Sequence, residues 1–307
     1  MLSLNEARIP VQIPLISTGG ERIVCIQLPT SEKGTGLRTH FVRLLRYLTG
    51  ETWDSAIPLT DNQYFALGQQ TASLQHALRK IVTQLDSPIE EHDWVLINAP
   101  KQLDRINIFA NRHQHELVQD VLMRFKTEYA PRLSGSVNKW SSSVEDEEFP
   151  ITLIHGDLNN FNILLQSKEE NESQKAVSYG FLDWEDAAIS RRSYDLAILL
   201  MYMLCAENPQ ERDVIRLGSV IMAGFQDQAT RDGWPLTVSE LNALTTFTAA
   251  RFAQSLTNAE YTYRVQCPGN DYVLLTEKQG GWSKLQDLWI TRKMEYQTAW
   301  SRSDLNI

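Results

Sequence analysis

Two short stretches decide the fold of this chain: residues 155–164, His-Gly-Asp-Leu-Asn-Asn-Phe-Asn-Ile-Leu, and residues 181–185, Phe-Leu-Asp-Trp-Glu. An apolar run typical of a strand lies at 163–165, and another lies at 177–182. Residues 166–175, between these runs, are entirely polar, as expected for the exposed connection of a hairpin. We therefore predict a β-hairpin that brings the aspartate of the second stretch back beside the last asparagine of the first.

Asp157 and Asn162 have the residue types and the spacing of a site for phosphoryl transfer. Their pattern, H-x-D-x-x-x-x-N, is also that of a kinase catalytic loop. A carboxylate can orient an acceptor hydroxyl and accept its proton, while Mg²⁺ binds one or two carboxylates together with phosphate oxygens. Asp157 is therefore predicted to face a hydroxyl, and Asn162 and Asp183 to face a metal ion. The alternative is that Asp157 and Asn162 only satisfy backbone groups in a turn.

The composition predicts a soluble globular protein without a broad surface for anionic partners. The chain has 307 residues, 42% hydrophobic and 22% charged, with a net charge of -9. An acidic chain does not favour nucleic acid or acidic membranes. Its three cysteines form no CxxC pair, which favours a reducing compartment over a disulfide framework or a zinc site. No run reaches the ~20 apolar residues of a membrane span, and the first residues do not resemble a secretory signal. We expect a cytoplasmic protein; the sequence leaves its oligomeric state open.

The hydrophobic pattern divides the chain near residues 49–54. Before this point the pattern predicts short strands, whereas from Asp61 apolar residues recur at helical spacings of three and four. Residues 196–206 are apolar on all sides, which is typical of a central helix. We predict an α+β fold with a small strand-rich part, residues 1–50, and a larger, mainly helical part, residues 51–307, that carries the hairpin.

The two motifs resemble those of the aminoglycoside/choline phosphotransferase family, a branch of the protein-kinase-like superfamily. They are His155-Gly-Asp157 with Asn162, and Leu182-Asp183-Trp-Glu185. The resemblance extends from about residue 10 to 290 and implies a two-lobe kinase-like fold. Further segments are similar to family members that phosphorylate the side-chain hydroxyl of 5-hydroxy-L-lysine and use GTP: residues 42–50, 250–256 and 268–276, and the pair Gly281-Trp282.

The resemblance implies a role for each motif residue. Asp157 would be the catalytic base, Asn162 and Asp183 would hold Mg²⁺, and His155 would brace the loop. Asp195, at the start of the central helix, would pin the same loop. A carboxylate at that position also fits simple stabilisation of a helix N-terminus.

The resemblance also implies where the two small-molecule substrates bind. The strand-like run that begins at Phe41 would lead into a hinge, where the backbone of Arg46, Tyr47 and Leu48 would hold the base of GTP or ATP. Hydroxylysine carries two ammonium groups, for which Glu185 or Asp186 are natural partners.

The N-terminal part is shorter than a complete nucleotide-binding lobe. A kinase places a Gly-rich loop, a strand Lys and a helix Glu before the hinge strand, and these elements need about 50 residues. Only 40 residues precede Phe41, and the sole lysine among them, Lys33, lies in a polar loop without a P-loop motif. We therefore expect the front of the small lobe to be absent, as in a truncated form. Two alternatives to an active kinase for 5-hydroxylysine stay open: a non-catalytic or regulatory remnant that binds a partner, and a kinase for another amino alcohol, such as choline or an aminoglycoside.

Overall fold

The computed structural model describes residues 1–29, 36–83, 92–133, 148–167 and 177–302. In chain order the elements are α1 (Leu2–Glu6), β1 (Val24–Pro29), β2 (Leu37–Val42), β3 (Glu51–Thr52), α2 (Trp53–Ala56), α3 (Asp61–Val82), α4 (Arg112–Glu128), α5 (Ala130–Leu133), β4 (Ile151–Ile154), β5 (Ile163–Ser167), β6 (Val177–Phe181), β7 (Ala188–Arg191), α6 (Ser193–Ala206), α7 (Val214–Arg231), α8 (Val238–Tyr261), α9 (Leu275–Lys278), α10 (Gly281–Gln286) and α11 (Lys293–Trp300). Short 3-10 segments lie at Leu96–Asp104, Ile106–Ile108 and Asp271–Leu274, and π-helical turns lie at Thr262–Gln266 and Asp287–Thr291.

The small N-terminal sheet consists of β1 and β2, which pair antiparallel with Val24 opposite Val42. The prediction of a strand that continues to the hinge at Leu48 is wrong, because β2 ends at Val42. Beyond that point Leu45 forms only an isolated bridge with Pro14. The pairing there consists of the two flanking hydrogen bonds, from the Leu15 N–H to the Leu44 carbonyl and from the Arg46 N–H to the Ile13 carbonyl, each at 2.8 Å.

The predicted hairpin is confirmed as β5 and β6, which pair antiparallel from Ile163 opposite Phe181 to Ser167 opposite Val177. On the other side of β5, the short strand β3 adds a third member of this sheet. A separate pair, β4 and β7, flanks the hairpin in sequence. As a result, the loop after β4 and the loop after β6 both emerge near the start of β5, and these two loops carry the predicted site residues.

The helices form the core of the large lobe. Helix α6 is the predicted central helix, and nearly every residue in it is buried. Its start is joined to the start of α8 by an ion pair that is almost completely buried: Arg192 Nη2 lies 2.6 Å from Glu240 Oε2, and Arg192 Nε donates to Glu240 Oε1 at 2.9 Å. Glu240 also completes the N-terminal cap of α8 by accepting from the Thr237 N–H. The described part of the chain contains no helix with the length and apolarity that a bilayer crossing requires.

Candidate active site

Asp195 holds the start of the loop that follows β4. Its Oδ2 accepts the His155 N–H at 3.0 Å, and its Oδ1 accepts the Gly156 N–H at 2.9 Å. The side chain is fully buried, and burial raises the pKa of this carboxyl, while the two N–H donors favour the charged form. Asp195 is therefore in a position to pin the start of this loop through two consecutive backbone N–H groups.

The His155 ring connects this loop to the end of β6. Its Nδ1 accepts the Asp157 N–H at 3.3 Å, and its Nε2 lies 2.8 Å from the Leu182 carbonyl oxygen. These contacts fit the neutral tautomer with the proton on Nε2. The ring is buried and packs against Trp184, with 4.5 Å between the ring centroids. Because both ring nitrogens are engaged, His155 is placed to brace the loop rather than to react.

Gly156 allows the two loops to pass close to each other, a role that sequence reasoning missed. Its φ is +84°, and a Cβ atom there would lie 2.1 Å from the Asp186 carbonyl oxygen. Only glycine combines that backbone conformation with so close an approach. The small residue between His155 and Asp157 was the available signal.

The Asp157 carboxylate is fixed on both oxygens. Its Oδ2 accepts from Asn159 Nδ2 at 2.7 Å and from Asn162 Nδ2 at 3.1 Å. Its Oδ1 accepts from Arg251 Nη2 at 3.2 Å. The side chain keeps 18% exposure. Asp157 is therefore oriented but still within reach of a substrate.

The turn alternative applies to Asn159 rather than to Asp157. Asn159 Oδ1 accepts the N–H groups of Phe161 and Asn162 at 2.8 and 2.9 Å, which is an Asx turn. Within the described residues, the Asp157 carboxylate accepts only from side chains. Asn162 serves both purposes, since its Nδ2 also donates to the Asp157 carbonyl at 3.1 Å.

Asp183 lies two residues after the end of β6, next to the loop that carries Asn162. The Leu182 N–H donates to the Asn162 carbonyl at 2.8 Å, which joins the two loops at this point. Asp183 has a φ of +55°, a conformation in which Asp and Asn are enriched among non-glycine residues. Its side chain is exposed, and its Oδ1 lies 3.4 Å from the Glu185 N–H.

The carboxylates of Asp157 and Asp183 lie close enough to Asp186 for their charges to affect its pKa. Burial raises the pKa of Asp186, and the charges of Asp157 and Asp183 raise it further, whereas Arg251 and His92 oppose this. His92 Nδ1 lies 3.7 Å from Asp186 Oδ1. Of the two predicted partners for an acceptor ammonium group, Asp186 is in this cluster, whereas Glu185 is exposed.

The donor set fits Mg²⁺ held partly by phosphate oxygens. In the described ranges, no three His, Cys, Asp or Glu side chains form a group that could hold a metal by themselves. One carboxylate from Asp183 and the amide oxygen of Asn162 are the number and type of protein ligands that Mg²⁺ takes in nucleotide sites.

The hinge residues lie elsewhere. Arg46, Tyr47 and Leu48 line a cavity of about 390 Å³ together with Gln166 and N-terminal residues such as Arg8. Asp157, Asn162 and Asp183 do not line this cavity. Hence the structure brings together the loop and metal candidates but not the hinge candidates with them. Lys33, predicted to lie in a polar loop, is outside the described residues.

Asp195→Asn is expected to lower the free energy of unfolding by about 2 kcal/mol, because the amide NH₂ would face one of the two backbone N–H groups and leave it buried without an acceptor. Urea unfolding measures the change. Asp104→Asn is the matched control, since Asp104 is exposed at the end of a 3-10 segment. Equal stability of the two variants would show that Asp195 does not pin the loop.

A small sheet lobe, a helical lobe and an Asp–Asn–Asp set at the ends of a hairpin define a kinase-like phosphotransferase. Comparison with known proteins agrees with this class. The chain belongs to the phosphotransferase enzyme family (APH), whose sequence pattern matches residues 4–229. The resemblance to this family and the α+β, protein-kinase-like fold are thereby confirmed, and the chain is a phosphotransferase that acts on an alcohol group.

Individual relatives are moderately similar in sequence and more similar in fold. A hydroxylysine kinase of Mus musculus is 29% identical over 280 residues, which cover 90% of this chain and 68% of the relative. The structure of a microcompartment-associated aminopropanol kinase has a TM-score of 0.62 at 14% identity, covering 99% of this chain and 81% of its own. An amicoumacin kinase in complex with AMP-PNP and Ca²⁺ has a TM-score of 0.60 at 15% identity, covering 94% of this chain and 74% of its own.

Proposed function

We propose that this chain transfers the γ-phosphate of a nucleotide to the side-chain hydroxyl of 5-hydroxy-L-lysine. The observation that carries the proposal is the Asp157 carboxylate, which is held by Asn162 on one oxygen and by Arg251 on the other and is still partly exposed. The similarity to a mouse hydroxylysine kinase supports this acceptor.

In the proposed reaction, the acceptor hydroxyl oxygen attacks the γ-phosphorus in line as the bond to the nucleoside diphosphate breaks. Asp157 orients the hydroxyl and takes its proton. Asn162 and Asp183 would hold Mg²⁺, which neutralises charge on the transferring phosphate. His155 and Asp195 hold the loop that sets the position of Asp157.

The two substrates approach from different sides in this proposal. The ammonium groups of the acceptor interact with Asp186, and with Glu185 at the outer edge, because opposite charges attract most strongly where water is partly excluded. The base of GTP or ATP binds to the backbone of Arg46, Tyr47 and Leu48, where the lobes 1–50 and 51–307 are proposed to meet. A small-molecule kinase of this kind acts in the cytoplasm, with neither nucleic acid nor membrane as a partner.

Turnover of a panel of acceptors tests the proposal. With Mg²⁺ and either GTP or ATP, kcat/KM for 5-hydroxy-L-lysine is expected to exceed that for choline and ethanolamine by at least about tenfold, since each of these has one cationic group fewer and one well-placed ionic contact is worth that much. An aminoglycoside is included as the bulkier alternative acceptor. Product is detected by mass spectrometry as the phosphorylated amino acid, with L-lysine as the control that lacks the hydroxyl. Preference for another amino alcohol would assign a different acceptor, whereas binding of Mg²⁺ and GTP without any turnover would favour the regulatory alternative.

A further inference from the structure

Arg251 is immobilised independently of the loop that carries Asp157. It lies on α8 with 1% exposure. Its Nη1 donates to the Trp94 carbonyl at 2.9 Å and to Gln254 Oε1 at 3.2 Å, and its guanidinium lies 5.1 Å from the centroid of the Trp94 ring. Gln254 is itself fixed by donating to the Asp93 carbonyl at 2.9 Å. Arg251 is therefore held by the segment before the first 3-10 helix and by its own helix.

The other terminal nitrogen of this guanidinium, Nη2, contacts Asp157. Nη2 donates to Asp157 Oδ1 at 3.2 Å, whereas the two amide donors, from Asn159 and Asn162, use Oδ2. Because each oxygen has its own partner on a different structural element, rotation of the carboxylate about its Cβ–Cγ bond is restricted. A charged donor also holds a carboxylate more strongly than a neutral amide does.

A comparison with Arg192 shows how Arg251 differs from a purely structural buried arginine. Arg192 is equally buried, and its guanidinium has a two-point pair with the buried Glu240 and donates to the carbonyls of Trp234 and Pro235. Arg251 is held by neutral groups, including the Trp94 carbonyl, Gln254 and Tyr202, and its Nε is buried without a partner among the described residues. Its one contact with a carboxylate is made to Asp157, which is partly exposed. The charge of Arg251 is therefore directed at the candidate base.

We propose that Arg251 is a positioning residue for phosphoryl transfer: its guanidinium fixes the Asp157 carboxylate in the orientation that receives the acceptor hydroxyl. The inference deepens the proposed function and rests on it. Arg251 does not touch the reacting atoms; it acts through Asp157. Arg251 also places a positive charge beside the Asp157 carboxylate, and this charge opposes the raised pKa of Asp186.

A double-mutant cycle tests the proposal. Arg251→Gln is expected to lower kcat about 30- to 100-fold, since a misplaced catalytic group costs roughly that factor, while KM for the nucleotide stays within about threefold. In an Asp157→Asn background the same substitution should lower kcat by less than about twofold, because a residue that acts only through Asp157 has nothing left to position. Arg251→Lys keeps the charge and is expected to lose only about tenfold. The matched control is Arg105→Gln, another arginine that contacts α8, through Asn258, away from Asp157.

Multiplicative losses in the two backgrounds, or an equal loss in Arg105→Gln, would show that Arg251 is merely structural. A crystal structure of Arg251→Gln gives a readout that needs no turnover. The expected result is a rotated Asp157 carboxylate with the Asp195 contacts to His155 and Gly156 retained; an unchanged carboxylate would overturn the proposal. Turnover of the wild-type chain separately decides the proposed function, so that the two failures are distinguishable.

Discussion

Asp157→Asn is expected to lower kcat of phosphoryl transfer by about 10³-fold, the contribution of a positioned general base. The amide cannot accept the proton of the acceptor hydroxyl. Its NH₂ group would also face either Arg251 or the amides of Asn159 and Asn162, all of which are donors in the structure. Stopped-time assays with saturating nucleotide, Mg²⁺ and 5-hydroxy-L-lysine measure the change.

The substitution should lower kcat without displacing the loop, because neither the Asp195 contacts that hold the loop nor the His155 ring depends on the Asp157 carboxylate. The midpoint of thermal unfolding is expected to fall, since buried Arg251 loses its carboxylate partner, whereas the half-saturating Mg²⁺ concentration is expected to stay close to that of the wild type. Asp104→Asn, an exposed change of the same chemical kind at the end of a 3-10 segment, is the control. Transfer that survives Asp157→Asn undiminished would exclude this carboxylate as the base.

The elements that could be predicted from the sequence are those whose pattern depends on residues close together in the chain. The hairpin β5–β6 follows from two apolar runs around a polar connection, and α6 follows from a run that is apolar on all sides; both patterns depend on neighbours in sequence. The strand expected to reach Leu48 is wrong because β1 pairs with this segment only as far as Val42, and beyond it Leu45 has only an isolated bridge with Pro14. The hydrophobic pattern of one segment does not show which other segment it will pair with in a sheet.

The site residues show the same division. Asp157, Asn162 and Asp183 stand out because their types and spacing are visible within thirty residues. Arg251 lies 94 positions from Asp157 in a helical segment whose periodicity indicates only a packed helix. Its role depends on how α8 crosses the loop after β4, and only the tertiary structure shows that crossing.

Asp183→Asn is expected to separate metal binding from base catalysis. It removes the one carboxylate proposed as a Mg²⁺ ligand and replaces it with a neutral oxygen, so the half-saturating Mg²⁺ concentration should rise at least about tenfold, and kcat at saturating Mg²⁺ should fall about 10²-fold. Asparagine tolerates the positive φ of Asp183, and its oxygen can still accept the Glu185 N–H. The change is therefore one of charge rather than of backbone conformation.

Magnesium titrations of turnover, with Mn²⁺ as a second divalent ion, measure this effect, and direct binding of Mn²⁺ by electron paramagnetic resonance measures it without turnover. The comparison with Asp157→Asn is decisive, because loss of a base lowers kcat at every Mg²⁺ concentration, whereas loss of a ligand shifts the titration itself. If Asp183→Asn left the metal titration in place and lowered only kcat, the carboxylate after β6 would not be the ligand. The metal would then have to bind among the remaining acidic groups of the cluster, such as Asp186, whose pKa is raised by burial and further by the charge of Asp157.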